Sequence, residues 1–214
     1  MIIGPNFAWL HLPKTGGTST ARLLQELNIP GIAIDPGEQD SKHQSFDSRF
    51  KQDFRTEKKL KLIITTRRLI SWLLSDWHHK TKMMGLAIPF EPVKSGLFYS
   101  LRLGGTWVAA DYWIHYFKAR SCDHVVRLER LEEDSNKLVL PLLPEGTQRL
   151  QFPAQNTNQY DRKIEQFFNT RDINRIYANN PAWNEWEQNI YGNKTSIDQY
   201  RRLKIKLNFL VNSK

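Results

Sequence analysis

The sequence predicts an α/β fold in which a central, mostly parallel sheet is flanked by helices. Its strongest strand candidates are short apolar runs at 7–12, 60–66 and 124–129. Each run is followed by residues with helical apolar spacing, and strands that alternate with helices form parallel sheets covered on both faces. Because ligands bind beyond the carboxyl ends of such strands, we expect the chemistry immediately after these runs.

The first elements surround a glycine-containing loop. Residues 7–12 (FAWLHL) are mostly apolar and are stopped by a proline, which predicts a buried strand. Residues 18–27 carry an apolar stripe at helical spacing, and hydroxyl residues at its start can cap this helix. Residues 31–34 predict another short strand, and 35–48 are rich in Gly, Ser, Asp and Gln, which is typical of a loop.

The middle of the chain begins with a second apolar run. Residues 60–66 (LKLIITT) predict a strand, and helical spacing resumes over 69–79. Prolines and glycines make 80–100 irregular, and this segment is a candidate lid or insertion. The aromatic-rich stretch 106–118 predicts a long, largely buried helix.

The last third begins with a third apolar run. Residues 124–129 (HVVRLE) predict a strand, with a helix from about Leu131. Residues 151–158 predict a polar loop, and 160–179 predict a helix. Residues 193–214 predict a basic C-terminal helix. Its basic side chains either form a solvent-exposed face or help to attract an acidic acceptor.

Length and composition fit a single domain over 1–214. The chain has 214 residues, of which 40% are hydrophobic and 25% are charged, as in ordinary globular proteins. Its single cysteine, Cys122, excludes an internal disulfide and argues against a structural zinc site. The sequence contains no run of about 20 apolar residues, so it predicts no membrane-spanning helix. The lack of a leader-like start predicts a cytoplasmic protein.

The charge balance indicates an anionic partner. Lys and Arg number 31 and Asp and Glu number 22, which gives a formal net charge of +9. Such an excess favours nucleic acid, a phosphorylated cofactor, an acidic glycan or an anionic membrane surface. Charge alone does not choose among these partners.

The loop after the first strand has the composition of a phosphate-binding site. Residues 11–19 (HLPKTGGTS) contain adjacent glycines, which allow the backbone N–H groups to converge on one anion. The following helix adds its positive end, and a lysine adds a full charge. The lysine precedes both glycines, whereas a Walker A loop places it after them, so an ATPase or ordinary kinase is disfavoured. A plain strand-to-helix turn is the alternative.

This loop resembles the 5′-phosphosulfate loop of sulfotransferases that use 3′-phosphoadenosine 5′-phosphosulfate (PAPS). The likeness is closest to the carbohydrate-type branch, which includes the heparan sulfate 2-O-sulfotransferases and bacterial sulfotransferases. The resemblance implies a P-loop-like three-layer fold and transfer of a sulfuryl group to a hydroxyl, with 3′,5′-adenosine bisphosphate as product. It implies that the 5′-phosphosulfate is bound by Lys14, Thr15, Gly16, Gly17, Thr18 and Ser19.

The same family binds the 3′-phosphate with an Arg at the end of a later strand and a Ser in the next helix. Arg67 follows the run 60–66, and Ser75 lies eight residues further on. An Arg fork can hold a phosphate dianion through charge-assisted hydrogen bonds, and a helix hydroxyl can complete its shell. This chain departs from the family pattern at Leu69 and Trp72, where the family usually has Pro and Arg. A surface salt bridge is the alternative for Arg67.

The resemblance assigns the general base to His43, because Lys42-His43 resembles a Lys-His motif found between the two cofactor loops. The unperturbed pKa of histidine, about 6.5, suits removal of a proton from a hydroxyl. We expect Lys14 to stabilise the charge that develops on the leaving oxygen. The alternative bases are His11, His78 and His79, and more remotely Asp40 and Asp76. No metal is expected, because adjacent helical histidines cannot easily share one ion.

The resemblance continues more weakly towards the C-terminus. Residues 127–134 (RLERLEED) resemble the family's third-strand signature, in which Glu129 orients basic residues or forms a buried ion pair. The further similarities fall on Asn156, Tyr160, Asp161 and 190–192, and the basic residues of the tail are Arg201, Arg202, Lys204 and Lys206.

The sequence thus predicts a PAPS-dependent sulfotransferase acting on a hydroxyl acceptor, with carbohydrate favoured by the resemblance alone. The alternatives are an atypical nucleotide-dependent kinase, a family member that binds the cofactor without turnover, and a basic nucleic-acid-binding domain. Nucleic acid is not the expected partner. A nucleic-acid-binding domain needs a contiguous basic face with exposed aromatic residues, whereas many aromatic residues of this chain lie on apolar helical faces.

Overall fold

The computed structural model describes residues 1–36, 40–50, 54–152 and 163–192. It is a mixed α/β structure. The chain divides into two compact units, the first formed by Met1–Arg67 and Trp113–Gln159, the second by Arg68–Tyr112 and Tyr160–Lys214. The single domain over 1–214 and the lid at 80–100 stay predictions.

The strands of the described residues fall into a larger and a smaller sheet. They are β1 (Ile2–Ile3), β2 (Phe7–Leu10), β3 (Ala33–Ile34), β4 (Lys61–Thr66), β5 (Leu97–Ser100), β6 (Thr106–Ala109) and β7 (His124–Arg127). The α-helices are α1 (Gly17–Glu26), α2 (Phe46–Arg49), α3 (Phe54–Glu57), α4 (Leu69–His78), α5 (Asp111–Tyr116), α6 (Leu131–Leu138), α7 (Ile164–Phe167), α8 (Thr170–Ala178) and α9 (Pro181–Tyr191). None of the helices among the described residues combines the length and the apolar character needed to cross a membrane.

The larger sheet belongs to the first unit and has the order β3-β1-β2-β4-β7. Its centre is parallel: Leu10 of β2 pairs with Ile64 of β4, and Thr66 of β4 pairs with Arg127 of β7. β1 runs antiparallel to both β2 and β3, so the sheet is mixed. The prediction of a mostly parallel central sheet is therefore confirmed for its three core strands, whose carboxyl ends meet at one edge.

The core of the first unit explains why these runs become central strands. All four residues of β2 are buried, as expected of a strand with both faces covered. Phe7, Trp9 and Ile63 pack in one cluster with Leu23 and Leu24 of α1. The Trp9 indole N–H donates to the Thr65 hydroxyl at 2.9 Å, which satisfies a buried polar atom. This packing fixes α1 against the sheet and thereby sets where its first turn lies.

The second unit is built around α4, whose Trp72 is fully buried. The Trp72 ring packs against Phe98 of β5 and Trp183 of α9, at centroid distances of 5.4 and 5.0 Å. The Asp111 carboxylate accepts from the backbone N–H groups of Ala182 and Trp183 at 2.8 and 2.7 Å. It therefore stabilises the amino end of α9.

The prediction of one helix over 106–118 is wrong. Thr106–Ala109 is strand β6, which pairs with Leu97–Ser100, and only Asp111–Tyr116 is helical. Gly104 and Gly105 have φ of 77° and 75° and form the turn between the two strands. The apolar residues of this stretch suit either period, and the hairpin decides in favour of strand.

The predicted helix over 160–179 is interrupted. Phe168 is extended, and α8 starts anew after Asn169, which forms a capping box with Asp172. The Asn169 side chain accepts from the Asp172 backbone N–H at 2.9 Å, and the Asp172 carboxylate accepts from the Asn169 N–H at 3.1 Å. The reciprocal bonds satisfy two N–H groups at the helix start and explain the break.

Candidate functional site

The loop between β2 and α1 turns sharply just before the helix begins. Lys14 and Gly16 have left-handed φ values of 63° and 85°, and the buried Thr15 hydroxyl donates to the Leu12 carbonyl at 2.7 Å. The first helical hydrogen bond runs from Thr20 N to Gly16 O at 3.1 Å. The N–H groups of 17–19 therefore precede the helical ladder, where a helix offers donors and a positive dipole end to an anion.

Both glycines of this loop are required by close neighbours. A Cβ at Gly16 would lie 2.7 Å from Leu128 Cδ1, which follows β7. A Cβ at Gly17 would lie 2.0 Å from His11 Nε2, because the imidazole packs directly on the Gly17 backbone. Gly16 is therefore needed for its φ and its space, and Gly17 for its space alone.

His43 lies beside the same loop. Its Nδ1 is 2.9 Å from the His11 carbonyl oxygen, and the two rings meet edge to face at 4.7 Å between centroids. A carbonyl oxygen only accepts, so Nδ1 of His43 carries a proton, and in the neutral imidazole the lone pair is then on Nε2. This is the tautomer that a general base acting through Nε2 needs.

The segment that carries His43 is held on its carboxyl side as well. The Ser45 backbone N–H donates to the Tyr116 hydroxyl at 3.2 Å, and the Ser45 side chain caps α2 by accepting from Ser48 N at 3.2 Å. Tyr116 packs edge to face on Phe117 at 5.1 Å. These contacts restrict how far His43 can move from the loop.

Arg67 reaches the glycine loop from the end of β4. Its Nη1 donates to the Lys14 carbonyl oxygen at 3.4 Å. The parallel pairing of β2 with β4 accounts for this contact, since residues that follow the two strands emerge at the same edge. The first unit thus brings a lysine, an arginine and two histidines to one loop.

The histidine of the loop is held uncharged. Burial, and then the neighbouring His43, keep the pKa of His11 well below its usual range. Neutral imidazole can pack on a backbone without the cost of desolvating a cation. His11 is therefore a neutral side chain at pH 7.

Strand β7 ends in an ion pair between Arg127 and the buried Asp134. Asp134 accepts from Arg127 Nε and Nη2 at 2.7 and 2.6 Å and from the Arg127 backbone N–H at 2.9 Å. Burial opposes ionisation of Asp134, but these bonds outweigh it and lower its pKa. Glu129 is exposed, so the alternative of a buried ion pair at Glu129 is wrong, and its role in orienting basic residues stays a prediction.

Other predicted site residues belong to the second unit or lie outside the described residues. Ser75 lies on α4 of the second unit, with 3% of its surface exposed. Asp76 and His78 are also buried on α4. His79 begins the π-helical turn that follows. Asp76 forms a buried ion pair with Lys80. Outside the described residues lie the side chain of Asp40, the residues Asn156, Tyr160 and Asp161, and the predicted helix 193–214 with Arg201, Arg202, Lys204 and Lys206.

Tyr116 and Leu128 are site-supporting residues that sequence reasoning missed. Tyr116 lies 71 positions from Ser45, and no local pattern links the two. Among the described side chains, no group of at least three His, Cys, Asp or Glu residues could hold a metal ion.

Comparison with known proteins adds no family to these observations. No protein-family model matches the chain. No curated protein matches it significantly.

Proposed function

We propose that this chain is a PAPS-dependent sulfotransferase with a P-loop-like three-layer fold, acting on a hydroxyl acceptor of carbohydrate type. The observation that carries the proposal is the meeting of three predicted groups at one loop. Arg67 donates a hydrogen bond to the carbonyl of Lys14, which lies 53 residues earlier in the sequence. His43 donates a hydrogen bond to the carbonyl of His11, which lies 32 residues earlier. Independent sequence predictions that converge in space support a common site.

The cofactor's two anionic ends suit the glycine loop and the neighbouring Arg67. The 5′-phosphosulfate is bound by the N–H groups that open α1, by Lys14 and Thr15, and by the hydroxyls of Thr18 and Ser19. Arg67 is the ligand of the 3′-phosphate, since its guanidinium is planar, always charged and already near the loop. Ser75 as its partner stays a prediction from the sequence.

Transfer follows an in-line displacement. The acceptor oxygen forms a bond to sulfur while the bond from sulfur to the bridging phosphate oxygen breaks. Nε2 of His43 takes the acceptor's proton, and adenosine bisphosphate leaves with both electrons of the broken bond. Lys14 and the backbone N–H groups stabilise the charge that grows on the leaving oxygen, which lowers the barrier more than it strengthens ground-state binding.

The proposal is tested by transfer of the label from radiolabelled PAPS to a panel of oligosaccharides with free hydroxyls. His43→Ala should lower turnover by about 10²- to 10⁴-fold and leave binding of adenosine bisphosphate unchanged. His124→Ala is the matched control, because His124 opens β7 at the opposite edge of the parallel strands. The absence of transfer by the wild-type protein to any hydroxyl of the panel would contradict the proposal. Equal transfer by the His43→Ala and wild-type proteins would contradict the assignment of His43 as the base.

A further inference from the structure

The site contains a second histidine that the proposed reaction has not used. His11 presents its carbonyl to Nδ1 of His43 at 2.9 Å, and its ring to the His43 ring at 4.7 Å with an interplanar angle of 62°. The same ring lies on the Gly17 backbone, so close that no Cβ fits there. His11 is thus wedged between the base and the first residue of α1.

Two imidazoles at this distance cannot easily carry two charges. Like charges about 5 Å apart repel by an amount that grows as water is excluded, so protonation of one ring disfavours protonation of the other. The charges that face His11 are those of Lys42, Asp35, the chain's α-ammonium group and His43 itself. Burial and the His43 ring dominate, and they keep the pKa of His11 low.

We propose that His11 is the positioning residue of His43. Its main-chain carbonyl holds His43 in the Nδ1–H tautomer. Its wedged ring stays neutral, so the single proton that the two histidines take up binds to Nε2 of His43. The proton arriving from an acceptor hydroxyl therefore has one destination. The role of the pair in sulfuryl transfer rests on the proposed function, whereas its tautomer and its proton uptake do not.

The wild-type protein tests the first half without any ligand. Two-bond ¹⁵N–¹H correlation spectra of uniformly labelled protein identify which ring nitrogen of each histidine bears hydrogen. We expect the Nδ1–H pattern for His43 at pH 8, and protonation of His43 at a higher pH than His11 on acidification. An Nε2–H pattern for His43 overturns the proposal, and so does protonation of His11 first.

A variant tests the coupling. In His43→Phe the neighbouring charge is absent, so the titration of His11 should move to higher pH. In His11→Phe the His43 shifts should lose the second, more acidic inflection while the Nδ1–H pattern persists, since the main-chain carbonyl remains. His124→Phe, at the far edge of the strands, should change neither curve. An unchanged His11 titration in His43→Phe overturns the coupling, even if the protein transfers sulfuryl groups.

Discussion

The contact between His11 and Gly17 makes a prediction that can be worked from distances. A Cβ at residue 17 would lie 2.0 Å from His11 Nε2 and 2.2 and 2.4 Å from its neighbouring ring carbons. Ordinary contact needs about 3.5 Å, so Gly17→Ala requires the imidazole to move by at least about 1.5 Å. Overpacking of this kind costs about 1–3 kcal/mol.

The backbone itself tolerates alanine at this position. Gly17 is the first residue of α1 and lacks a left-handed φ, and alanine in a helix is favoured over glycine by about 0.5–1 kcal/mol. The same substitution should therefore destabilise the wild-type protein and stabilise a His11→Ala background, in which the ring is gone. The two substitutions should couple by about 1–3 kcal/mol.

Urea denaturation of the four proteins of this double-mutant cycle measures the effect on the free energy of unfolding. Gly104→Ala serves as the control substitution, since it has a left-handed φ of 77° but no atom within 4 Å of the added Cβ. It should destabilise both backgrounds equally. Equal destabilisation by Gly17→Ala in both backgrounds would refute the packing of His11 on Gly17.

Further predictions concern the packing and charges around the site. Gly16→Ala should cost at least about 1 kcal/mol in urea denaturation, because it adds backbone strain to the contact with Leu128. The hydrogen bonds from Arg127 lower the pKa of Asp134. The ionised Asp134 side chain therefore stabilises the folded protein above pH 3.8, and this contribution is lost as the pH falls below that value. Asp134→Asn should give a shallower loss in acid; an unchanged acid profile would contradict this. Burial raises the pKa of Cys122 to about 12, so iodoacetamide at pH 8 should label it only after unfolding, as measured by mass spectrometry.

Much of the first unit could be predicted from local sequence. The runs that became β2, β4 and β7 are short, apolar and flanked by breakers, and parallel central strands need little more than that. The glycine loop and Arg67 could be selected from the sequence because they resemble the two cofactor-binding segments of one family, and their role in binding phosphate stays a prediction.

The remaining features depend on contacts that no short pattern encodes. The Ser45–Tyr116 bond joins residues 71 positions apart, and the packing of His11 on Gly17 depends on how the loop between them folds. The aromatic stretch that became β6 satisfies a helical and a strand period equally, so only the partner strand β5 decides it. The pairing of Arg127 with Asp134 depends on α6, which places the Asp134 carboxylate at the end of β7.

Calorimetric titration with 3′,5′-adenosine bisphosphate in metal-free buffer tests the proposed cofactor site most directly. We expect binding without Mg²⁺ that is tighter than binding of ATP–Mg²⁺. Arg67→Ala should weaken it by about 1.5–3 kcal/mol for each charge-assisted bond lost. Arg22→Ala, which removes an exposed arginine of α1 that pairs with Glu26, should leave it unchanged. Tighter binding of ATP–Mg²⁺, or equal affinity of the Arg67→Ala and wild-type proteins, would contradict the account.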